Sequence, residues 1–354
     1  MIKEFKRIGI LTSGGDAPGM NAAIRSVVRT AISRGVECMG IYRGYRGLIE
    51  RDIKPLDMRS VSNIINHGGT VLYSDRCPEF KTPEGIGEAV ANCRRFGIDG
   101  IVAIGGDGTF RGATDMTDHG VPCVGLPGTI DNDITSTDFS IGFDTAVNTT
   151  IEMVDRLRDT CESHARCNVV EVMGRDAGDI ALQTAIAVGA SAVAIREIAF
   201  DQAAVLEDLK KSRENGKRNF IIIVSEGLAG YGEQLTAMIP EQTGIDTRFA
   251  RLAHVVRGGS PSLRDRMLGS TMGATAVEML LRGKSNIVVC EQKGQITTMD
   301  IGEALIIDRM YKDKLKDGDL QKFDVKTVEY MRDFCKQKFD AFKKLYDLAY
   351  EISR

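Results

Sequence analysis

The chain contains no tryptophan and only eight prolines in 354 residues. It also has no internal repeat, no low-complexity tract and no Pro/Ser-rich linker, so any two domains must be joined closely, and a chain that crosses between them more than once is one way to do so. No apolar run approaches the roughly 18 residues that a membrane span requires. Met1–Arg7 carries charge straight into a strand pattern rather than a signal-peptide core, so the expectation is a soluble, cytoplasmic protein with no membrane partner. The eight cysteines form no CxxC pair and have no companion histidines at metal-ligand spacing, which excludes a zinc module and fits a reducing compartment. There is no basic excess either. With 46 Lys and Arg against 49 Asp and Glu, the net charge of −3 argues against a generic nucleic-acid binder, and any anionic ligand must be held by local arginines.

What is present points to an α/β protein. At 354 residues, 43% of them hydrophobic, the chain exceeds what one core usually serves, so two domains are expected. Its 38 glycines suit tight turns between strands and helices. Short apolar runs at Ile8–Leu11, Cys38–Tyr42, Gly100–Ile104, Cys123–Leu126, Asn168–Val172, Ala192–Ile195, Phe220–Val224 and Ile287–Cys290 read as buried strands. Segments with helical spacing lie between them, including stripes Ala23, Val27, Ala31 and Ile151, Val154, Leu157. The alternation predicts parallel sheets covered by helices. Residues from about Thr327 to Arg354 read as a packing helix with the stripe Phe334, Phe339, Phe342, Leu345 and Leu348.

The chemistry is expected at the carboxyl ends of the strands, where open α/β sheets bind ligands. Gly14–Asn21 (GGDAPGMN) follows the first strand and opens a helix, whose free N–H groups and dipole favour phosphate. Its spacing resembles a P-loop, but Met20-Asn21 stand where Lys-Ser/Thr is required, and it contains no GxGxxG. Taken alone, the segment serves equally as a structural turn. Ile104–Thr109 (IGGDGT) is sharper, because its glycines let backbone approach a polyphosphate and Asp107 can hold Mg²⁺. The same pattern occurs in several kinase families, and a strand-ending turn with a solvated aspartate is the plain alternative. In Pro127–Asp133 (PGTIDND), an extended backbone would aim Asp131 and Asp133 to one side. One carboxylate could then take the proton of an attacking hydroxyl, worth about 10²–10⁴-fold, while the other helps place a metal. An Asx-rich turn is the alternative reading.

Together, Leu11–Asn21 (LTSGGDAPGMN), Gly105–Thr109 (GGDGT), Gly125–Asp133 (GLPGTIDND), Glu171–Arg175 (EVMGR) and His254–Pro261 (HVVRGGSP) resemble, in order, the signatures of the bacterial-type ATP-dependent 6-phosphofructokinases, over roughly residues 5–310. The resemblance implies two doubly wound, Rossmann-like three-layer α/β domains with the active-site cleft between them. One would be an ATP-binding domain (1–142 plus 256–306), the other a fructose 6-phosphate-binding domain (143–255 plus 307–354). It implies transfer of the γ-phosphate of Mg-ATP to the 1-hydroxyl of fructose 6-phosphate. Asp131 would be the base, with Thr129 and Arg175 at the reacting centre. Asp107 would serve the magnesium site, supported by Asp133, and Gly15, Arg76, Cys77, Gly106, Gly108, Thr109 and Gly112 would line ATP. Met173, Gly174, Arg175, Glu226, His254 and Arg257 would hold the sugar phosphate, joined by Arg166 and Arg248 from a neighbouring subunit, so a homotetramer with shared active sites is implied.

The resemblance also bears on the donor and on control. Pyrophosphate-using relatives typically carry Asp where Gly108 stands and Lys where Gly128 stands, so two glycines favour ATP. Arg25, Arg29, Arg158 and Lys217 match an effector pocket. Met58, Asn63, Ser191 and Asn215 replace charged residues common there, which implies weaker or altered control by ADP and phosphoenolpyruvate. Cys77, where an aromatic residue is common, is a further departure. A pyrophosphate-dependent enzyme, a kinase for another sugar phosphate such as tagatose 6-phosphate, and a catalytically silent sensor on the same fold remain open alternatives.

Overall fold

The computed structural model describes residues 5–353, which divide into two compact units. Unit 1 comprises the described residues up to Ile130, with Ile134–Thr145 and Arg257–Cys335; unit 2 comprises Asp131–Asp133, Ala146–Val256 and the described residues from Lys336 onward.

Unit 1 is built on seven strands, numbered here along the whole chain: β1 (Arg7–Ser13), β2 (Glu37–Ile41), β3 (Ile53–Leu56), β4 (Gly100–Gly105), β5 (Cys123–Pro127), β10 (Ile287–Gln292) and β11 (Gln295–Asp300). Their order is β11-β10-β5-β4-β1-β2-β3. β1, β2, β4, β5 and β10 are parallel, and their apolar runs are buried because helices cover both faces. The chain winds from β1 outward to β2 and β3, then returns to β4 on the other side of β1. That reversal places the switch point of the sheet between the carboxyl ends of β1 and β4. On one face, helix α9 (Leu263–Leu281) packs closely on α1 (Met20–Ser33). A Cβ on Gly269 or Gly273 would come within 2.8 Å of the carbonyl oxygens of Gly19 and Ala23, so glycine is what permits the contact.

Unit 2 has an all-parallel sheet of β6 (Cys167–Val172), β7 (Ala192–Ala194), β8 (Phe220–Ser225) and β9 (Thr247–Arg251) in the order β7-β8-β6-β9. Val169, Ile222 and Val224 pack there with Leu206 and Leu209 of α7 (Gln202–Glu214) and Leu235 and Ile239 of α8 (Tyr231–Thr243).

The eight expected strands are all present, but three were not anticipated, and the first sheet is mixed rather than wholly parallel. β3 and β11 run antiparallel to β2 and β10 at the two edges. Edge strands are half exposed and here carry Lys54, Pro55, Gln295 and Asp300, so they show no continuous apolar run. β9 (TRFAR) escapes notice for the same reason.

The C-terminal helix α11 (Val325–Ile352) exists, but its buried stripe differs from the expected one. Met331, Cys335, Phe342 and Ala349 are buried, at steps of four and seven residues, whereas Phe339, Leu345 and Leu348 remain about 40% exposed. The segment 307–335 also groups with unit 1 instead of the second domain. α10 (Ile301–Tyr311) buries Ile306 and Ile307 in the unit 1 core, where Met331 and Cys335 join them.

Candidate active site

In unit 1 the turns after β1 and β4 are bonded to each other at the switch point. The Thr109 hydroxyl donates to the Ser13 carbonyl at 3.0 Å, and the buried Tyr45 hydroxyl donates to the Thr109 carbonyl at 2.6 Å. Gly14 adopts φ +89°, which lets the chain leave β1 sharply and enter α1. The following loop is pinned to this platform. Asn21 donates to the His67 carbonyl at 3.0 Å and accepts from Val71 N–H at 2.8 Å, while Thr12 donates to the Tyr73 carbonyl at 2.7 Å. Arg46 then binds Asp75 at 2.7 Å and the Arg76 carbonyl at 3.0 Å, which delivers Arg76 with an exposed side chain.

Gly106 and Gly108 have ordinary backbone angles, and a Cβ on either would meet no protein atom within 4 Å. Neither packing nor strain requires glycine here, so the open space is what distinguishes these positions. Gly112 is different, for its Cβ would lie 2.6 Å from the Tyr45 ring, and that contact explains it without a ligand. Asp107 opens α4 (Asp107–Asp118), accepts from the Gly108 N–H at 2.7 Å and pairs with Arg111 one turn on. Its carboxylate is a hard oxygen donor at a half-exposed helix start. No group of three or more His, Cys, Asp or Glu side chains that could hold a metal occurs among the described residues. The lone Asp107 carboxylate fits Mg²⁺, which keeps its waters and takes one or two carboxylates together with substrate phosphates. Cys77 is half-buried, and desolvation raises its thiol pKa, so it stays a neutral neighbour rather than a nucleophile. Thr129 is buried, its N–H donating to the Ile141 carbonyl at 3.1 Å and its carbonyl accepting from Ser140 at 2.7 Å. Arg257 lies over the first turn, its Nη1 3.1 Å from the Asp16 carbonyl, close beside Gly15.

In unit 2 the segment Asp131–Asp133 is a bend and not an extended strand. Asn132 sits at φ +53°, in the left-handed region that Asn tolerates better than most residues, and this breaks the expected alternation. Asp131 is 2% exposed while Asp133 is only partly buried, so the two carboxylates occupy different surroundings. Arg175 Nε stands 3.8 Å from Asp131 Oδ2. Arg175 is itself held, with φ +53°, in the turn that ends β6: Glu226, just past β8, accepts the N–H groups of Arg175 at 2.8 Å and Gly174 at 3.2 Å. Met173 is buried below this turn. Glu226 thus shapes the loop that delivers the cation to Asp131, and a guanidinium with an exposed side chain remains available to a substrate.

Arg166 and Arg248 converge on one carboxylate, Asp246, at 2.6 and 2.7 Å. They precede or begin β6 and β9, at the amino end of the sheet, whereas Met173, Gly174, Arg175 and Glu226 lie at its carboxyl end. A six-residue strand separates the groups by about 20 Å. Within one copy of unit 2, the sheet therefore keeps the two arginines apart from the Arg175 turn. His254 is exposed, beyond the end of β9.

Of the effector candidates, Arg25 and Arg29 are partly exposed on α1, and Arg29 reaches the Met58 carbonyl at 3.5 Å. Asn63 holds a turn at φ +56°. In unit 2 Arg158 binds Asn219 at 3.1 Å, and burial together with the Arg158 charge lowers the Lys217 pKa. Lys217, Asn215 and Ser191 line one cavity of about 180 Å³ with Lys211 and Ser353.

Reasoning from sequence missed Arg111, Asp179, Asp246 and Asp265. Arg111 was detectable as the i+4 partner of Asp107. Asp179, at the start of α6 (Asp179–Val188), accepts from Asn132 Nδ2 at 3.2 Å; desolvation pushes its carboxyl up to about 6. Asp265 on α9 is buried and accepts from the Gly142 and Thr145 N–H groups, both at 2.8 Å, and burial pushes it up to about 6 as well. These contacts join distant segments, and nothing in the local pattern announces them.

The family model "Phosphofructokinase" matches residues 7–280. The ATP-dependent 6-phosphofructokinase of Bacillus subtilis is 54% identical over 301 residues, covering 85% of this chain and 94% of that protein. Among solved structures, phosphofructokinase from Saccharomyces cerevisiae superposes with TM-score 0.82 at 32% identity, covering 93% of this chain, which spans about half (50%) of the yeast chain. A pyrophosphate-dependent phosphofructokinase from Marinobacter aquaeolei shares the fold, with TM-score 0.72 at 23% identity, over 84% of this chain and 83% of that one. Among the described residues, no helix is long and apolar enough to cross a membrane.

Proposed function

The chain belongs to the phosphofructokinase family, and from that premise we propose that it transfers the γ-phosphate of ATP to the 1-hydroxyl of fructose 6-phosphate, giving fructose 1,6-bisphosphate and ADP, a committed step of glycolysis. The observation that carries the reading is the buried Asp131 carboxylate beside the Arg175 guanidinium. Phosphoryl transfer leaves a protein little covalent work, so catalysis comes from positioning and from charge aimed at the transferring group.

Asp131 takes the proton of the attacking 1-hydroxyl, and Arg175 supplies fixed positive charge to the transferring oxygens. The family resemblance assigns Thr129 to the reacting centre as well. Gly15, Gly106, Gly108, Thr109, Arg76 and Cys77 line the nucleotide, with the open space above Gly106 and Gly108 left for its phosphates. Asp107 would hold Mg²⁺, with Asp133 in support. Held there, the ion would supply positive charge to offset that of the phosphates. The choice of ATP over pyrophosphate rests on two glycines with different surroundings. A side chain on Gly108 would fill open space, whereas a Cβ on Gly128 would press to 3.0 Å against Ile104 and Met20.

Glu226, Met173, Gly174, His254 and Arg257 bind the sugar phosphate together with Arg166 and Arg248. The latter two lie at the far end of their own sheet, which supports the reading that they serve a neighbouring subunit's site; the family resemblance adds a homotetramer in the cytoplasm. Their pairing with Asp246 holds both guanidiniums together before a phosphate replaces that partner. The test is a coupled assay with Mg²⁺ and fructose 6-phosphate, offering ATP or pyrophosphate as donor and tagatose 6-phosphate as a competing acceptor. Turnover with ATP alone supports the reading; turnover with pyrophosphate alone, or with neither donor, overturns it.

A further inference from the structure

The bend that carries Asp131 turns on one residue. Asn132 at φ +53° occupies the left-handed region, which Asn reaches more readily than most residues but which its surroundings must still hold in one place. Part of that support is visible. Asn132 Nδ2 donates to Asp179 Oδ1 at 3.2 Å. Asp179 is the first residue of α6, where the helix dipole favours a carboxylate. The start of α6 is fixed in turn. The N–H of its cap residue Gly178 donates to Glu197 Oε1 at 2.7 Å, and a Cβ on Gly178 would meet Ile195 at 2.8 Å, so the helix end is seated tightly on the strand end. Lys338 on α11, outside the residues that the family model matches, lends Asp179 its positive charge.

We propose that Asp179 is a positioning residue for phosphoryl transfer: through its hydrogen bond to Asn132 it fixes the left-handed bend that aims the Asp131 carboxylate. The inference rests on the kinase reading above. Asp131 is then held by two arms. Glu226 sets Arg175 through the backbone of the β6 turn, and Asp179 sets the adjacent residue of the bend from the helix α6 side. A small rotation at Asn132 moves the base relative to the hydroxyl it deprotonates, and misplacement of about 1 Å costs on the order of 100-fold in rate. The effect is expected in kcat, because Asp179 and Asn132 act through the base, whereas the residues proposed to line the nucleotide are others.

The experiment compares steady-state kinetics of the whole protein with those of Asp179→Ala, Asp179→Asn, Asn132→Gly and the Asp179→Ala/Asn132→Gly double variant. The unaltered protein is assayed first: no fructose 6-phosphate kinase activity there sinks the functional reading itself, whereas activity there isolates the question to Asp179. Asp179→Ala should lower kcat by about 10- to 100-fold with KM for ATP within twofold. Asp179→Asn keeps an oxygen acceptor and should restore kcat to within about threefold. Asn132→Gly still reaches positive φ but lacks the donor, so it should lose kcat on a similar scale, and adding Asp179→Ala to it should cost less than twofold more. Multiplicative losses in the double variant, or Asp179→Ala within twofold of the unaltered enzyme, overturn the proposal. Should Asp179→Ala not fold, Asn132→Gly decides alone: kcat within twofold of the unaltered enzyme rejects the arm.

Discussion

Two aspartates, each placed shortly after a strand, have opposite surroundings. Asp107 starts a helix in unit 1 with its side chain 42% exposed, next to glycines that pack against nothing. Asp131 lies in a bend of unit 2 with its side chain 3% exposed, next to a left-handed Asn and a guanidinium. An exposed carboxylate beside open space suits a hydrated cation and a polyphosphate, which arrive with their own waters. A buried carboxylate suits proton transfer, because bulk water does not compete for it. The difference teaches that residue type alone does not assign a role; what the neighbouring backbone leaves open, or closes, does.

That comparison can be broken at several points. Gly108→Asp should fold normally, because the added atoms enter open space, yet lower kcat/KM for ATP by at least about 100-fold through crowding and like-charge repulsion at the phosphates. Unchanged ATP kinetics in that variant would show that the openness has no bearing on the donor. Arg248→Ala should raise the fructose 6-phosphate concentration for half-saturation about 10- to 100-fold with kcat nearly kept, as expected for loss of one charge-assisted phosphate contact of about 1.5–3 kcal/mol. An active monomer, measured by sedimentation at assay concentration, would contradict its service to a neighbouring subunit.

Smaller effects sharpen the same contrast between closed and open positions. In α11, Phe342→Ala should cost about 3 kcal/mol in urea unfolding, against about 0.5 kcal/mol or less for Phe339→Ala, which is 39% exposed. Equal costs would restore the stripe expected from sequence. Asp265, pushed up to about 6 from an ordinary value of 3.8, keeps a proton in the folded state that the unfolded chain has already released between those values. Its contribution therefore makes stability fall as pH rises from about 4 to about 6. Asp265→Asn should flatten that part of the stability profile, and an identical slope in both proteins would discount the buried carboxyl.

Most of the fold was legible because buried parallel strands such as Ile101–Ile104 and Phe220–Val224 are continuous apolar runs that end in glycine or acidic turns. β3, β9 and β11 were not, since edge or half-exposed strands carry polar residues that imitate loops. The tail stripe failed for a related reason: α11 is apolar enough on two faces for either to serve, and only tertiary packing chose Phe342 and Ala349. At the site, Asp107, Asp131 and Arg175 announce themselves by motif. The bend at Asn132 does not, because it depends on Asp179, 47 residues away. Asp246 stayed hidden likewise, although Arg166 and Arg248 had both been singled out.

The central claim is that Asp131 serves the chemistry while the glycine turns serve nucleotide binding. Replacing Asp131 by Asn, and measuring turnover and ATP affinity side by side, tests it most directly. The account predicts a fall in kcat of about 10²–10⁴-fold with ATP affinity unchanged; turnover close to that of the unaltered enzyme, or a parallel loss of ATP affinity, would contradict it.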